Sequence, residues 1–253
     1  MKNRVYILST GRAGTTFLFN IFNTINSELS LTHQKRWSRT INILGNIPLP
    51  INCQIKIIYH FFKNIKNESI PLSTVDPLLS LSIFILIKNG IIKNPKVVHL
   101  VRDPRDFVTS FMNWKSQSFS KKILHNLIPF WQPFPRGKGL SFFHWIFMSK
   151  FEKFCWTWYY KNYLFKQLEG KTNYKLIKME NLTKGYNSKA NVKTLARFCG
   201  LGKKEFDYEQ ITSHSTNKSI TKCFPSYNNW SAKKQNTLKR ICGELMIDFG
   251  YQL

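Results

Sequence analysis

Acidic residues are scarce in this chain: 13 Asp and Glu stand against 38 Lys and Arg among 253 residues, for a net charge of +25. That imbalance calls for an anionic partner, whether a nucleotide, an acidic glycan, a membrane surface or nucleic acid. Abundant Lys, Asn and Ile also fit a coding sequence rich in A and T, which accounts for part of the surface Lys. Paired cysteines are missing. Cys53, Cys155, Cys199, Cys223 and Cys242 are scattered, odd in number and never spaced C-x-x-C. They read as reduced thiols of a cytosolic protein, not as a zinc or disulfide framework. Long apolar runs are missing too. The longest, Leu78 to Ile87, covers ten residues with two serines, too short to cross a bilayer. No signal peptide fits an N-terminus whose apolar run stops after four residues. The expected location is cytoplasmic, at most peripheral to a membrane. No internal repeat, basic run or nucleic-acid motif is present, so nucleic acid is not an expected partner.

What is present is an ordinary globular composition, 43% hydrophobic and 15% aromatic, which argues against disorder. The length suits one domain over residues 1–253. Val5–Leu8 and Val97–Val101 are short, apolar and partly β-branched, as central parallel strands are. Leu29–Thr32 and Tyr174–Met179 read as further strands. Helical spacing follows Thr15, through Phe17, Leu18, Ile21, Phe22 and Ile25. It recurs over Ile55–Ile65, Leu78–Ile91, Asp106–Trp114, 144–168 and Ala190–Cys199, where Gly200 supplies a stop. A final helix follows Ser231, a candidate N-cap. Residues 115–143, rich in Pro and Gly, are expected to be an insertion on the acceptor side. Strands alternating with helices predict an α/β three-layer fold with a mainly parallel sheet.

Two strand-to-helix junctions, about 90 residues apart, carry anion-binding character. The first is Ser9-Thr10-Gly11-Arg12-Ala13-Gly14-Thr15-Thr16; the second is Arg102-Asp103-Pro104-Arg105-Asp106, with Ser110 eight residues past Arg102. At such junctions free N–H groups and the positive end of the helix favour phosphate or sulfate. Two of them suggest a ligand with two separated anionic groups. The first loop is not a Walker A loop: Gly11 and Gly14 are only three apart, and Thr15 replaces the Lys. No obvious acidic partner for magnesium follows a later strand. The loop therefore suits an anion bound without metal.

Gly11-Arg12-Ala13-Gly14-Thr15-Thr16-Phe17-Leu18, taken with Val101-Arg102-Asp103-Pro104-Arg105-Asp106 and Ser110, resembles the sulfotransferases that use 3′-phosphoadenosine 5′-phosphosulfate (PAPS). The likeness extends weakly to Leu176-Ile177-Lys178-Met179-Glu180-Asn181-Leu182, and to Trp230 with the terminal helix. It implies a P-loop-like fold and PAPS as co-substrate, with no metal. It implies that Gly11, Arg12, Ala13, Gly14, Thr15 and Thr16 cradle the 5′-phosphosulfate. Arg102 and Ser110 would hold the 3′-phosphate, with Trp230 also at the donor site. Met179 stands where the family often has a Tyr, and Asn229 where relatives often place a Lys or Arg; Lys218 or Lys222 are candidate substitutes.

Arg12 is the candidate to neutralise charge on the leaving oxygen. Arg105 reads as a helix-start charge or ion-pair partner. For the general base, His33, Glu28 and His99 compete. His33 lies at the end of the predicted second strand, where related sulfotransferases place a catalytic Glu, and a His titrates near neutrality. Glu28 falls near a turn, and His99 lies mid-strand in the expected core. Lys35 and Arg36 could help bind an acidic acceptor. The aromatics from Trp145 to Tyr163 are core by default, and part of them could line an acceptor groove or touch lipid. The leading expectation is sulfuryl transfer to a hydroxyl of a glycan, glycolipid or other small acceptor, with possible peripheral contact to an anionic membrane. A nucleotide kinase and a non-catalytic basic anion- or membrane-binding protein are the alternatives.

Overall fold

A computed structural model describes residues 4–25, 31–32, 37–66, 73–116, 131–184, 186–201 and 223–253. Among these residues five strands form one sheet: β1 (Val5–Ser9), β2 (Leu31–Thr32), β3 (Ser73–Thr74), β4 (Lys96–Val101) and β5 (Asn173–Lys178). Their order is β2-β3-β1-β4-β5, and every neighbouring pair is parallel. Helices α1 (Thr15–Ile25), α2 (Ser38–Asn46), α3 (Ile51–Lys66) and α4 (Ser80–Lys88) lie between β1 and β4 in the chain. Next come α5 (Pro104–Ser116), α6 (Phe142–Phe147) and α7 (Lys150–Lys166). After β5 follow α8 (Met179–Thr183), α9 (Ser188–Cys199) and α10 (Ala232–Asp248).

The period-two alternation of strand side chains divides the core into layers. Val5 and Ile7 of β1, with Val98 and Leu100 of β4, bury against Leu18, Ile21 and Phe22 of α1 and Val192 and Leu195 of α9. Tyr6, Leu8 and Val97 point the other way, onto α4 and Phe165 of α7. A third cluster joins Val101 to α5, α7 and α10. The three-layer architecture predicted from the pattern is therefore present, with helices on both faces of a parallel sheet. Burial on both faces is why β1 and β4 read as continuous apolar runs.

Several local readings need correction. The helix expected over 144–168 is two helices. Ser149, extended at ψ 151°, accepts a hydrogen bond from the Glu152 N–H and starts α7 afresh. Helix α5 begins at Pro104, not Asp106, because proline is preorganised for the first helical position. Ser231 stands at the N-cap of α10, yet its side chain makes no capping bond. Strand β5 ends at Lys178, one residue early, because Met179 opens α8. Helix α2 and the two-residue β3 carried too little periodicity to be read. Gly200 does close α9, at φ 84°.

Chain order sends β1 towards β2 and β3 on one side, whereas β4 leads to β5 on the other. The order reverses between β1 and β4. In open α/β sheets ligands bind outside the carboxyl ends of strands at such a reversal.

Candidate active site

Both anion motifs emerge at that reversal. Strands β1 and β4 pair in register from Val5↔Lys96 to Ser9↔Leu100, so the loops after Ser9 and Val101 leave the same sheet edge side by side. The first loop is shaped by its backbone. Gly11 (φ 87°), Arg12 (φ 52°) and Gly14 (φ 85°) all adopt the left-handed region. Left-handed residues interspersed in a turn gather successive N–H groups into an anion-binding concavity. Arg12, as a non-glycine residue there, is held at a conformational cost. Ser9 stabilises the turn by accepting the Gly11 N–H at 3.3 Å, and Ser80 accepts the Ser9 N–H at 3.0 Å. Ala13 and Thr15 are buried, and Thr16 is half-buried in the first turn of α1.

The second loop meets the first directly. Arg102 donates from Nη1 to the Arg12 carbonyl at 2.8 Å, and Arg12 donates from Nε to Ser110 Oγ at 3.0 Å. Three residues read from sequence, Arg12, Arg102 and Ser110, thus form one hydrogen-bonded unit. Arg102 also pairs with Asp106 at 3.7 Å. Among the described residues no carboxylate pairs with Arg12. Burial, followed by the repulsion of Arg102, lowers the pKa of Arg12. A bound anion would relieve both effects.

The second loop is braced from behind. Trp158 donates its indole N–H to the Arg102 carbonyl at 2.8 Å. Glu180 accepts the Asp103 N–H at 2.9 Å on one oxygen and the Tyr251 hydroxyl at 3.0 Å on the other. Arg105 forks onto Asp103, with Nη2–Oδ2 at 2.5 Å, and lies over the Tyr227 ring. It is the ion-pair partner that its position suggested. Beside Glu180, Met179 packs over the first loop, where a Cβ added at Gly14 would run into its thioether. One short helix, α8, therefore touches both loops.

Over residues 2–243 the sequence matches the sulfotransferase domain family. The chain belongs to the sulfotransferase family. Comparison with curated proteins finds no significant match. Among solved structures, a sulfotransferase from Alicyclobacillus acidocaldarius aligns at TM-score 0.49 and 10% identity, over 100% of this chain and 98% of that one.

The remaining candidates of this sulfotransferase fall in different places. Trp230 is buried against Phe151 and Phe224, and its indole N–H is committed to the Pro225 carbonyl at 3.0 Å. That cluster is tied to α5 by Asn113, whose Oδ1 accepts the Phe224 N–H at 2.7 Å. Trp230 thus stands behind Tyr227 and Phe224, with its polar atom already satisfied. His99 is fully buried, as expected of a core residue. Nε2 bonds Asn162 Oδ1 at 2.8 Å and Nδ1 bonds the Tyr174 hydroxyl at 2.6 Å. Burial pushes its pKa down to about 4, against a smaller upward pull from Asn162. With Asn162 accepting and Tyr174 donating, the ring is neutral and protonated on Nε2. His33, Glu28, Lys35, Arg36, Lys218 and Lys222 lie outside the described residues.

One acidic group escaped the sequence reading. Asp76 follows β3, the strand beside β1, and is fully buried with Oδ1 accepting the Leu78 N–H at 2.9 Å. Its neighbour Pro77 lies against Gly11. This carboxylate follows a strand, and its Oδ1 is committed to the Leu78 N–H. Buried Lys161 of α7 faces its field: burial lowers the Lys161 pKa to about 8, and Asp76 pulls it back upward. The spacing Asp-Pro-Leu-Leu was the available signal, but without a recognisable strand ahead of it the position could not be placed.

Proposed function

We propose that this sulfotransferase moves a sulfuryl group from PAPS to a hydroxyl of a glycan, glycolipid or other small acceptor by in-line transfer. The observation that carries the reading is the Arg12–Ser110–Arg102 unit between the carboxyl ends of β1 and β4. It presents two guanidinium groups, one without a carboxylate partner among the described residues, beside a loop held left-handed at three positions. PAPS supplies an activated sulfuryl group and an anionic group at each end. The residues fit such a molecule: the first loop offers N–H groups and the Thr15 and Thr16 hydroxyls, and the second offers a guanidinium and Ser110.

In this reading Thr15, Thr16 and the backbone of Gly11–Gly14 orient the phosphosulfate end. Arg102 and Ser110 hold the 3′-phosphate through charge-assisted bonds. Arg12 counters charge that grows on the leaving oxygen, a preorganised donor aimed where charge develops. His33 takes the acceptor proton as general base. Glu180 and Trp158 keep the second loop in place and touch no reactant. Acceptor choice falls to residues outside these loops, and the protein acts as a cytoplasmic enzyme.

Transfer of radiolabelled sulfate from PAPS to extracts of the source cell tests the reading. The wild-type chain labels an acceptor, and Arg12→Ala lowers labelling by roughly 10²–10³ with the fold intact. Unchanged labelling by Arg12→Ala and unchanged donor affinity in Arg102→Ala would discard the site assignment.

A further inference from the structure

Helix α6 carries a feature outside the two loops described above. Phe143 and Phe147 are 73% and 84% exposed, and Phe142 beside them is 37% exposed. Positions 143 and 147 are four apart, so both rings stand on one face of the helix. The helix beneath them is firmly built. Trp145 is fully buried, in edge contact with Phe134, and Phe134 also meets Phe142. Ser141 caps α6 by accepting the His144 N–H at 3.1 Å. Lys153 of α7 donates to the Ile146 carbonyl at 2.8 Å and lies over the Trp145 ring. Two phenyl rings are therefore held out in water on a rigid support, which a soluble surface rarely does without a partner.

The charge of the segment that carries the helix favours one kind of partner. Along the described stretch that carries α6, residues 131–151, there is no Asp or Glu, while Arg136, Lys138 and Lys150 are basic. Apolar rings rising from a wholly cationic stretch match an anionic lipid surface, where the rings enter the acyl boundary and the cations meet the headgroups. A second copy of a chain at +25 would repel this one. Helix α6 also stands near the donor edge. Its contact at Lys153 is five residues along α7 from Trp158, which bonds the Arg102 carbonyl. That is about 7–8 Å of helix.

We propose that Phe143 and Phe147 form a membrane-docking edge for anionic phospholipid bilayers. On the sulfotransferase reading, this edge brings the donor loops to acceptors carried in the membrane. The test measures co-sedimentation of the full chain with vesicles of phosphatidylcholine alone and of phosphatidylcholine mixed with phosphatidylserine. It compares wild type with the double variant Phe143→Ser, Phe147→Ser. Wild type should bind only the mixed vesicles, and the double variant should bind at least about tenfold more weakly, as expected for two rings left out of lipid. Its Tm and its thermal response to adenosine 3′,5′-bisphosphate should match wild type. Equal binding of the two proteins overturns the proposal, since charge alone would then suffice. So does an absence of binding to mixed vesicles, or a dimer in ultracentrifugation that the double variant dissolves. Vesicle binding is read without donor, so failure here leaves the transfer reading untouched, and a failed donor response leaves the docking result standing.

Discussion

The loops after β1 and β4 of this sulfotransferase, proposed here to bind the two ends of the donor, reach one site by different means. The first is a matter of backbone shape: three left-handed residues, the small Ala13 and a helix start, with one guanidinium that meets no carboxylate among the described residues. The second is a matter of bracing, in which Arg105, Glu180 and Trp158 fix Asp103 and the Arg102 carbonyl. A loop made by shape is vulnerable to one methyl group. A loop made by bracing spreads its dependence over several side chains and over the strand that carries it.

Removing Arg12 tests the contrast most severely. Arg12→Ala should lower transfer by roughly 10²–10³, the usual loss of a preorganised donor to developing charge, with Tm nearly unchanged. A loss confined to donor KM would move Arg12 out of the transfer step.

The strand under the second loop should show its dependence on pH. His99 is held at about 4 in the folded chain against 6.5 when unfolded. Between those values the unfolded chain binds more protons, so stability falls as pH falls through that window. The full interval amounts to roughly 3 kcal/mol. Denaturant unfolding of wild type and His99→Gln across the window should show a flatter profile for the variant. Parallel profiles would mean that His99 is not the group responsible.

Arg102→Ala addresses the second loop's charge. Loss of a charge-assisted contact should raise donor KM about tenfold to a hundredfold and alter kcat less. A kcat defect with KM unchanged would place Arg102 at the reacting end. The smallest effect concerns shape alone. Gly14→Ala should cost about 1–2 kcal/mol for a Cβ in the left-handed region. Adding Met179→Ala should return donor binding without returning that stability, because the thioether then no longer meets the new methyl group. Full recovery of both would show that Met179 alone requires glycine.

Legibility followed the strength of local signals. Strands β1 and β4 were readable because burial on both faces makes them apolar throughout, and their loops because glycine and charge sit at the strand ends. From the residue types alone Arg12, Ser110 and Arg102 could be set in two pockets, but not in contact; parallel pairing of β1 and β4 accomplishes that. Asp76 and Lys161 were hidden because β3 is two residues long and a buried Lys looks like a surface one in sequence. In sequence Glu180 stands out only at the end of a strand motif, whereas its work is to hold the Asp103 N–H, a contact across 77 residues. Trp230 was legible as a landmark, but its burial behind Phe224 and Tyr227 comes from packing of α5, α7 and α10.

The central claim is that the two loops grip opposite ends of one sulfated nucleotide. Thermal unfolding of wild type, Arg12→Ala and Arg102→Ala with adenosine 3′,5′-bisphosphate, or with ATP and magnesium, tests it most directly. Stabilisation of wild type by the bisphosphate, weakened in Arg102→Ala, and no comparable response to ATP with magnesium, is the predicted result. Magnesium-dependent stabilisation by ATP, with none from the bisphosphate, would contradict it.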